Sequence, residues 1–339
     1  MSAIKILVVG PSWVGDMVMA QSLFITLKQK SPDCVIDVLA PAWTFGLLER
    51  MPEVNRAVAM PLTHGQFGLS ERLYLGKQLR SEHYDQAILL PNSWKSALIP
   101  FFANIPSRIG YVGECRWGLL NDARKLDKQQ LTMTVQRFVA LGLASSAPLP
   151  PVYPTPRLAI SQAQQQAVID KFKLTIASPQ ATKILALCPG AEYGEAKRWP
   201  ADYFAEVAQQ KIAEGWQVWL FGSEKDQAVA AQINQIAQER CTDFTGRTSL
   251  AEAVDLLSLA QVVVSNDSGL MHVAAALDQP IIALYGSSDP CFTPPLNDKA
   301  EILSLRLSCS PCFQRVCPLG HTNCLIGIKP EQVLVKLPS

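Results

Sequence analysis

Asn266-Asp267-Ser268-Gly269-Leu270-Met271-His272 has the residue types and spacing of an anion site. It follows an apolar run, Val262-Val263-Val264, and precedes small residues, Val273-Ala274-Ala275-Ala276, so it reads as strand, tight turn and helix. Asp267 is placed to cap that helix. Ser268 and Gly269 would then offer first-turn N–H groups that lack partners inside the helix and lie at the positive end of its dipole. His272, four residues after Ser268, shares its face. A phosphate docked there would meet backbone donors, a hydroxyl and an imidazole. The same pattern also suits a plain βα turn with a capped helix and a core histidine.

A second loop, Gly10-Pro11-Ser12-Trp13-Val14-Gly15-Asp16, has two glycines separated by four residues, as a P-loop does. The Lys-Ser/Thr pair of that motif is replaced by Asp16-Met17, and a carboxylate in the lysine's place would repel a nucleoside triphosphate. The dinucleotide fingerprint G-x-G-x-x-G is absent as well. Asp16 at a helix N-terminus suits a general base: the dipole favours its charged form by ~0.3–1 kcal/mol, and positioned base catalysis contributes ~10²–10⁴-fold. Its plainer role would be to cap the helix. Lys197-Arg198, before Trp199-Pro200, could close on a diphosphate as paired cations. Asp226, just beyond Gly222, could accept hydrogen bonds from a ribose or cap the helix that follows. Asn92-Ser93-Trp94-Lys95 and the arginines Arg108, Arg116 and Arg124 could hold an acidic acceptor, although scattered arginines usually face solvent. Cys309, Cys312, Cys317 and Cys324, with His321 among them, begin as C-x-x-C. A zinc site would want a second such knuckle, which is broken here, so reduced structural thiols or a redox-sensitive cluster are the alternatives.

The elements that must position these groups are legible in the apolar runs. Lys5-Ile6-Leu7-Val8-Val9-Gly10-Pro11, Val35-Ile36-Asp37-Val38-Leu39-Ala40 and Gln86-Ala87-Ile88-Leu89-Leu90 occupy the first half. Lys183 to Gly190, Gln217 to Phe221, Val262 to Val264 and Ile281 to Tyr285 occupy the second. Each is a short continuous run, as a strand buried on both faces should be. Helices are expected between them. One runs from Asp16 to Lys30. One runs from Pro200 to Glu214, with proline in its first turn and Gly215 beyond its end. One opens on the capping box Ser249-Leu250-Ala251-Glu252. Alternation of this kind predicts an α/β fold with parallel, doubly wound sheets, and it occurs twice. The proline-rich stretch Pro148 to Pro156 reads as a linker. The expected organisation is an acceptor domain over 1–155, a donor domain over 156–320, and a segment, 321–339, that could pack back on the first domain. The two Rossmann-like domains are expected to face a cleft. Ligands of such sheets bind at the strands' carboxyl ends. In the second half these are Pro189-Gly190-Ala191-Glu192, Gly222-Ser223-Glu224-Lys225-Asp226, Asn266 to Gly269 and Gly286-Ser287-Ser288, chiefly small, polar or acidic.

Composition narrows the classes. The chain has 339 residues, 48% hydrophobic and 17% charged, which is a globular composition and fits about two domains at ~150 residues each. A net charge of +1 argues against a dedicated nucleic-acid binder. The first apolar run is too short for a signal peptide, and no stretch reaches the ~20 apolar residues of a membrane span. A cytosolic protein, at most peripheral to a membrane, is expected, and its nine cysteines should be largely reduced. Ala97-Leu98-Ile99-Pro100-Phe101-Phe102 could touch a membrane, but a core segment is the simpler reading.

Taken together, Gly10 to Met17, Pro189-Gly190-Ala191-Glu192 with Lys197-Arg198-Trp199-Pro200, and Asn266 to Leu277 resemble the ADP-heptose:lipopolysaccharide heptosyltransferases, and among them the type II enzymes. Arg50 to Asn55, Pro91-Asn92-Ser93 and Gly118 to Asp122 agree, so the resemblance spans nearly the whole chain. It implies a GT-B fold and an inverting, metal-independent transfer needing no cofactor. The implied donor is ADP-L-glycero-D-manno-heptose. The implied acceptor is the first heptose of the Kdo-lipid A inner core, at the cytosolic face of the inner membrane of a Gram-negative cell. By motif, Asp16 would be the catalytic base. Lys197, Asp226, Asp267, Ser268, Gly269 and His272 would bind the donor, and Ser12, Trp13, Gly15, Asn92, Ser93 and Lys95 the acceptor, with no metal ligand. On the same architecture the alternatives are a heptosyltransferase of different acceptor specificity, an epimerase or hydrolase of nucleotide sugars, and a non-enzymatic nucleotide-sugar-binding protein. A nicotinamide oxidoreductase is disfavoured by the missing glycine fingerprint.

Overall fold

The computed structural model describes residues 3–62, 66–176 and 182–338. The chain divides into two compact units, Met1–Pro156 and Arg157–Ser339.

The first unit is built on six parallel strands: β1 (Lys5–Val9), β2 (Val35–Ala40), β3 (Arg56–Ala59), β4 (Gln86–Leu89), β5 (Ser107–Tyr111) and β6 (Asp122–Arg124). Their order is β3-β2-β1-β4-β5-β6. The second unit repeats the plan with β7 (Ile184–Cys188), β8 (Gln217–Leu220), β9 (Thr242–Asp243), β10 (Val262–Asn266), β11 (Ile281–Tyr285) and β12 (Ala300–Ser304). Its order is β12-β11-β10-β7-β8-β9. In both sheets the order reverses beside the first strand, between β1 and β4 and between β7 and β10. Such a switch point opens a crevice at the carboxyl ends of the two strands.

The inner strands are apolar because helices cover both faces. Leu7, Val9, Leu39, Ala87 and Leu89 pack with Ala97, Ile99 and Ile105 in the first unit. The segment 97–102 is therefore a core element: Ala97 ends a 3₁₀ turn, and Leu98, Ile99 and Pro100 of helix Leu98–Phe102 are buried. In the second unit Leu185, Leu187, Val218, Leu220, Val262 and Val264 pack against Trp199, Phe204 and Val207. The last segment belongs to this second core. Leu325, Ile328, Val333 and Leu337 complete it, and the Trp199 indole donates to the Ile328 carbonyl at 2.8 Å. Its apolar residues therefore pack on the second unit. No helix among the described residues is long and apolar enough to cross a membrane.

Candidate active site

The residues singled out in the second unit gather at its switch point. Asn266, the last residue of β10, is wholly buried. Its amide donates to the Pro189 carbonyl at 2.7 Å and its oxygen accepts from the Trp199 backbone N–H at 3.0 Å. One side chain thus ties the ends of β7 and β10 to the loop that carries Lys197. The Lys197 ammonium lies 2.5 Å from the Asp267 carboxylate, with side chains 17% and 5% exposed, and also sits over the Tyr193 ring at 5.1 Å. Asp267 is therefore the partner of Lys197. The helix cap falls one residue later than expected: helix Gly269–Ala276 has Ser268 in extended conformation at its N-cap, without a side-chain capping bond. The Ser268 hydroxyl is 3.3 Å from that of Ser265. Ser268, Gly269 and Leu270 keep partial exposure at the mouth of the turn, as first-turn donors to an anion require.

His272 is buried behind them. Burial pushes its imidazole down to about 4; the Asp267 charge opposes this and the Lys197 charge adds to it. At neutral pH His272 is an uncharged donor and acceptor, not a second cation. The sign of the stability effect follows. Its folded-state value lies below the ordinary 6.5, so between pH 6.5 and about 4 the unfolded chain binds the extra proton. Unfolding free energy should fall on acidification through that window, by about 3 kcal/mol from this group. The slope should be shallower in His272→Gln, as denaturant titrations at stepped pH would show. An equally steep slope in the variant would place the acid sensitivity elsewhere.

Asp226 lies at the other flank. Its carboxylate accepts from the Ser223 backbone N–H at 2.9 Å and hydroxyl at 2.8 Å, and the Arg198 guanidinium stands 3.5 Å from its second oxygen. The capping role is thus occupied, at Ser223. Gly190 lies so close that a Cβ there would overlap the Asp226 carboxyl group. Lys197 and Arg198 are consequently not a matched pair, since each has its own carboxylate. Buried hydroxyls of Ser287, Ser288 and Thr245 and the Arg198 Nε have no hydrogen-bond partner among the described residues. Ser287 and Ser288 follow β11, the neighbour of β10. A buried polar group left unmatched costs ~1–3 kcal/mol, which a polar ligand at these strand ends would recover.

Residues 309–317 strap these loops together. The Phe313 N–H donates to the Ser287 carbonyl at 2.7 Å. The Tyr193 hydroxyl donates to the Phe313 carbonyl at 2.7 Å. The Ala196 N–H donates to the Arg315 carbonyl at 3.0 Å, and the Arg315 guanidinium lies over the Tyr193 ring at 5.2 Å. Cys309, Cys312 and Cys317 of this segment, and Cys324 beyond it, are free thiols. Backbone N–H groups of Thr322, Leu319, His321 and Gly320 lower the Cys317 thiol, whereas burial, followed by the charge of neighbouring thiols, raises Cys324. Among the described residues no three His, Cys, Asp or Glu side chains are placed to hold a metal ion.

In the first unit the marked residues again flank the switch point. Helix Val14–Lys30 starts two residues before Asp16, with Trp13 at its N-cap and no side-chain capping bond. Asp16 therefore sits in the first turn and is not the cap. Ser12 and Trp13 are exposed and Gly15 is buried in the loop after β1. Asn92, Ser93 and Lys95 follow β4, the adjacent strand. Buried Arg116 fixes their loop. Its guanidinium donates to the Pro91 carbonyl at 2.8 Å, the Ser96 hydroxyl at 3.2 Å and the Tyr111 carbonyl at 3.0 Å. Arg108 donates to the Leu119 and Ile105 carbonyls, each at 2.6 Å. Arg124 pairs with Asp122 at 2.8 Å and donates to the Ala140 and Leu143 carbonyls. All three arginines are thus engaged with backbone, which removes them as an acceptor clamp.

Comparison with known proteins gives the family. Residues 72–323 match the model of glycosyltransferase family 9 (heptosyltransferase). The chain belongs to that family. It is 49% identical to lipopolysaccharide heptosyltransferase 2 of Salmonella typhimurium, covering 99% of this chain and 98% of that one. It is 47% identical to the Escherichia coli protein of the same name, covering 98% and 97%. The structure of E. coli ADP-heptose lps heptosyltransferase II superposes with a TM-score of 0.87 at 44% identity, covering 98% of this chain and 97% of that one. A family 9 glycosyltransferase from Veillonella parvula shares the fold, with a TM-score of 0.83 at 20% identity, covering 99% and 97%. The α/β fold is that of the GT-B heptosyltransferases. The family 9 chain is a glycosyltransferase, and its relatives place it in lipopolysaccharide heptosyl transfer.

Sequence reasoning missed the tie made by Asn266, the clasp of Tyr193 and Arg315 about the Lys197 loop, and the partnership of Asp267 with Lys197. Asn266 stood inside the quoted motif, so its polarity at the end of an apolar strand was the available signal. The clasp joins residues more than a hundred positions apart and had none.

Proposed function

We propose that this family 9 enzyme transfers L-glycero-D-manno-heptose from ADP-heptose to the first heptose of heptosyl-Kdo-lipid A, with inversion at the anomeric carbon. The observation that carries the reading is the Lys197 ammonium held by Asp267 beside the open first turn of helix Gly269–Ala276. This is a diphosphate site made of a cation, backbone donors and a neutral imidazole. The relatives' names, which specify the heptose and the lipopolysaccharide, support the substrates.

In this mechanism Asp16 takes the proton of the acceptor hydroxyl. The freed oxygen attacks the anomeric carbon in one displacement as the bond to the β-phosphate oxygen breaks, which inverts the configuration. ADP departs carrying the electron pair. Lys197, the Ser268 and Gly269 amides and the His272 N–H stabilise the charge growing on the β-phosphate. Donors fixed in place before the reaction need no reorganisation as the charge develops. These groups do the work of a divalent ion, so turnover should need no added metal. With these substrates the proposed reaction runs at the cytosolic face of the inner membrane, by peripheral contact.

The test is to mix ADP-heptose with a truncated inner core bearing one heptose and follow ADP formation in the presence of EDTA. Release that depends on the acceptor is expected. Equal release without acceptor would identify a hydrolase.

A further inference from the structure

The seven tryptophans of the chain divide sharply between the two units. Trp199, Trp216 and Trp219 of the second are 1, 5 and 0% exposed. Trp13, Trp43, Trp94 and Trp117 of the first are 45, 52, 40 and 68% exposed. Tryptophan is highly buried on average, so four exposed indoles in one unit call for a reason.

Their placement supplies one. Each lies in the loop after a strand's carboxyl end: Trp43 after β2, Trp13 after β1, Trp94 after β4 and Trp117 after β5. Those four strands are consecutive neighbours in the sheet, in that order. With strands about 4.8 Å apart, the row of strand ends spans roughly 14 Å. It is centred on the switch point between β1 and β4, where ligands of such sheets bind.

The Trp94 indole has a fixed support. The Trp94 ring packs on Phe67 with centroids 5.1 Å apart, and its backbone N–H donates to the Glu114 carboxylate at 3.0 Å. Arg116 fastens the Trp94 loop to the β5 end next to Trp117. The segments after these four strands carry no basic excess: Asp16, Glu49, Glu53 and Glu114 stand against Arg50, Lys95 and Arg116. A face that docks on an anionic bilayer would carry a basic excess. Aromatic faces without that excess suit the C–H faces of sugar rings.

We propose that Trp43, Trp13, Trp94 and Trp117 form a stacking row for the sugar rings of the acceptor saccharide. This rests on the reading of the chain as an enzyme that glycosylates a saccharide. The row extends acceptor recognition over four strand ends, beyond the loops that carry Asp16 and Asn92.

Steady-state kinetics of Trp43→Ala and Trp117→Ala provide one test. Each should raise the acceptor KM by about 2- to 10-fold, the range of single aromatic contacts. The donor KM and kcat should not change, and Trp→Phe should recover part of the loss. Unchanged acceptor KM in both alanine variants overturns the row. The second test uses wild-type protein and tryptophan emission. A lipid-free core oligosaccharide bearing one heptose should shift the emission to the blue and shield it from iodide, because the buried indoles give a constant background. Vesicles of phosphatidylethanolamine and phosphatidylglycerol should do neither. A shift with vesicles and none with oligosaccharide would make this a bilayer-docking face and overturn the proposal. Wild-type protein that shows the oligosaccharide shift but never consumes ADP-heptose would overturn the proposed reaction and leave the row standing.

Discussion

Asp16→Asn should lower kcat by about 10²–10⁴-fold, the range for loss of a positioned general base, while ADP binds as tightly as before. The asparagine keeps the shape and removes only the basic oxygen. Asp16 occupies the first turn of its helix with Trp13 at the cap, where the dipole favours its charge by ~0.3–1 kcal/mol. Thermal melting would confirm that the variant is folded. Isothermal titration with ADP, set beside turnover of ADP-heptose, separates the two roles. A parallel loss of ADP affinity would show that Asp16 acts on the donor, and a loss of turnover under tenfold would show that it merely supports its helix.

The second large effect is expected at Lys197. Lys197→Ala should reduce kcat/KM for ADP-heptose by about 10²–10³-fold, as removal of a donor to developing negative charge does, and should weaken ADP binding too. It should also destabilise the fold, because Asp267 would be left buried without its cation. Breaking such a pair from one side costs ~3–5 kcal/mol when it is fully buried, and less here because Lys197 keeps some exposure. The double variant Lys197→Met, Asp267→Asn separates the two consequences: it should regain most of the stability and none of the activity. Recovery of activity in the double variant would mean that Lys197 serves only to neutralise Asp267.

The strands that the sequence displayed are those buried on both sides. β1, β2, β4, β7, β8, β10 and β11 are apolar runs because helices cover both of their faces. β3, β6, β9 and β12 gave no such signal. They are the four edges of the two sheets, and sequences such as Arg56-Ala57-Val58-Ala59 and Asp122-Ala123-Arg124 are short, polar and partly exposed, as edge strands tend to be. β5 is internal but reads Ser-Arg-Ile-Gly-Tyr, and its arginine is accommodated by carbonyls of the loops on either side, Ile105 and Leu119. Two doubly wound sheets were nevertheless implied, since the visible strands include the pair at each switch point.

The site was legible in part for the same reason. Loops at strand carboxyl ends keep their glycines, serines and carboxylates close together in sequence, so Gly10 to Asp16 and Asn266 to His272 each declared themselves. Charge pairing did not. Lys197 and Arg198 are adjacent in sequence, yet Asp267 takes one and Asp226 the other. Arg108, Arg116 and Arg124 looked free for an acceptor because nothing in their spacing shows the carbonyls they bond. The exposed tryptophans follow the same rule: each loop contains one, but only the sheet order lines them up.

Mass spectrometry of the acceptor glycolipid, after incubation with ADP-heptose and either wild-type enzyme or Asp16→Asn, tests the account most directly. A one-heptose core should gain a single further heptose with the wild type, in step with the ADP formed, and almost none with the variant. ADP formed while the acceptor mass stays unchanged, or heptose added equally well to a core that carries none, would contradict it.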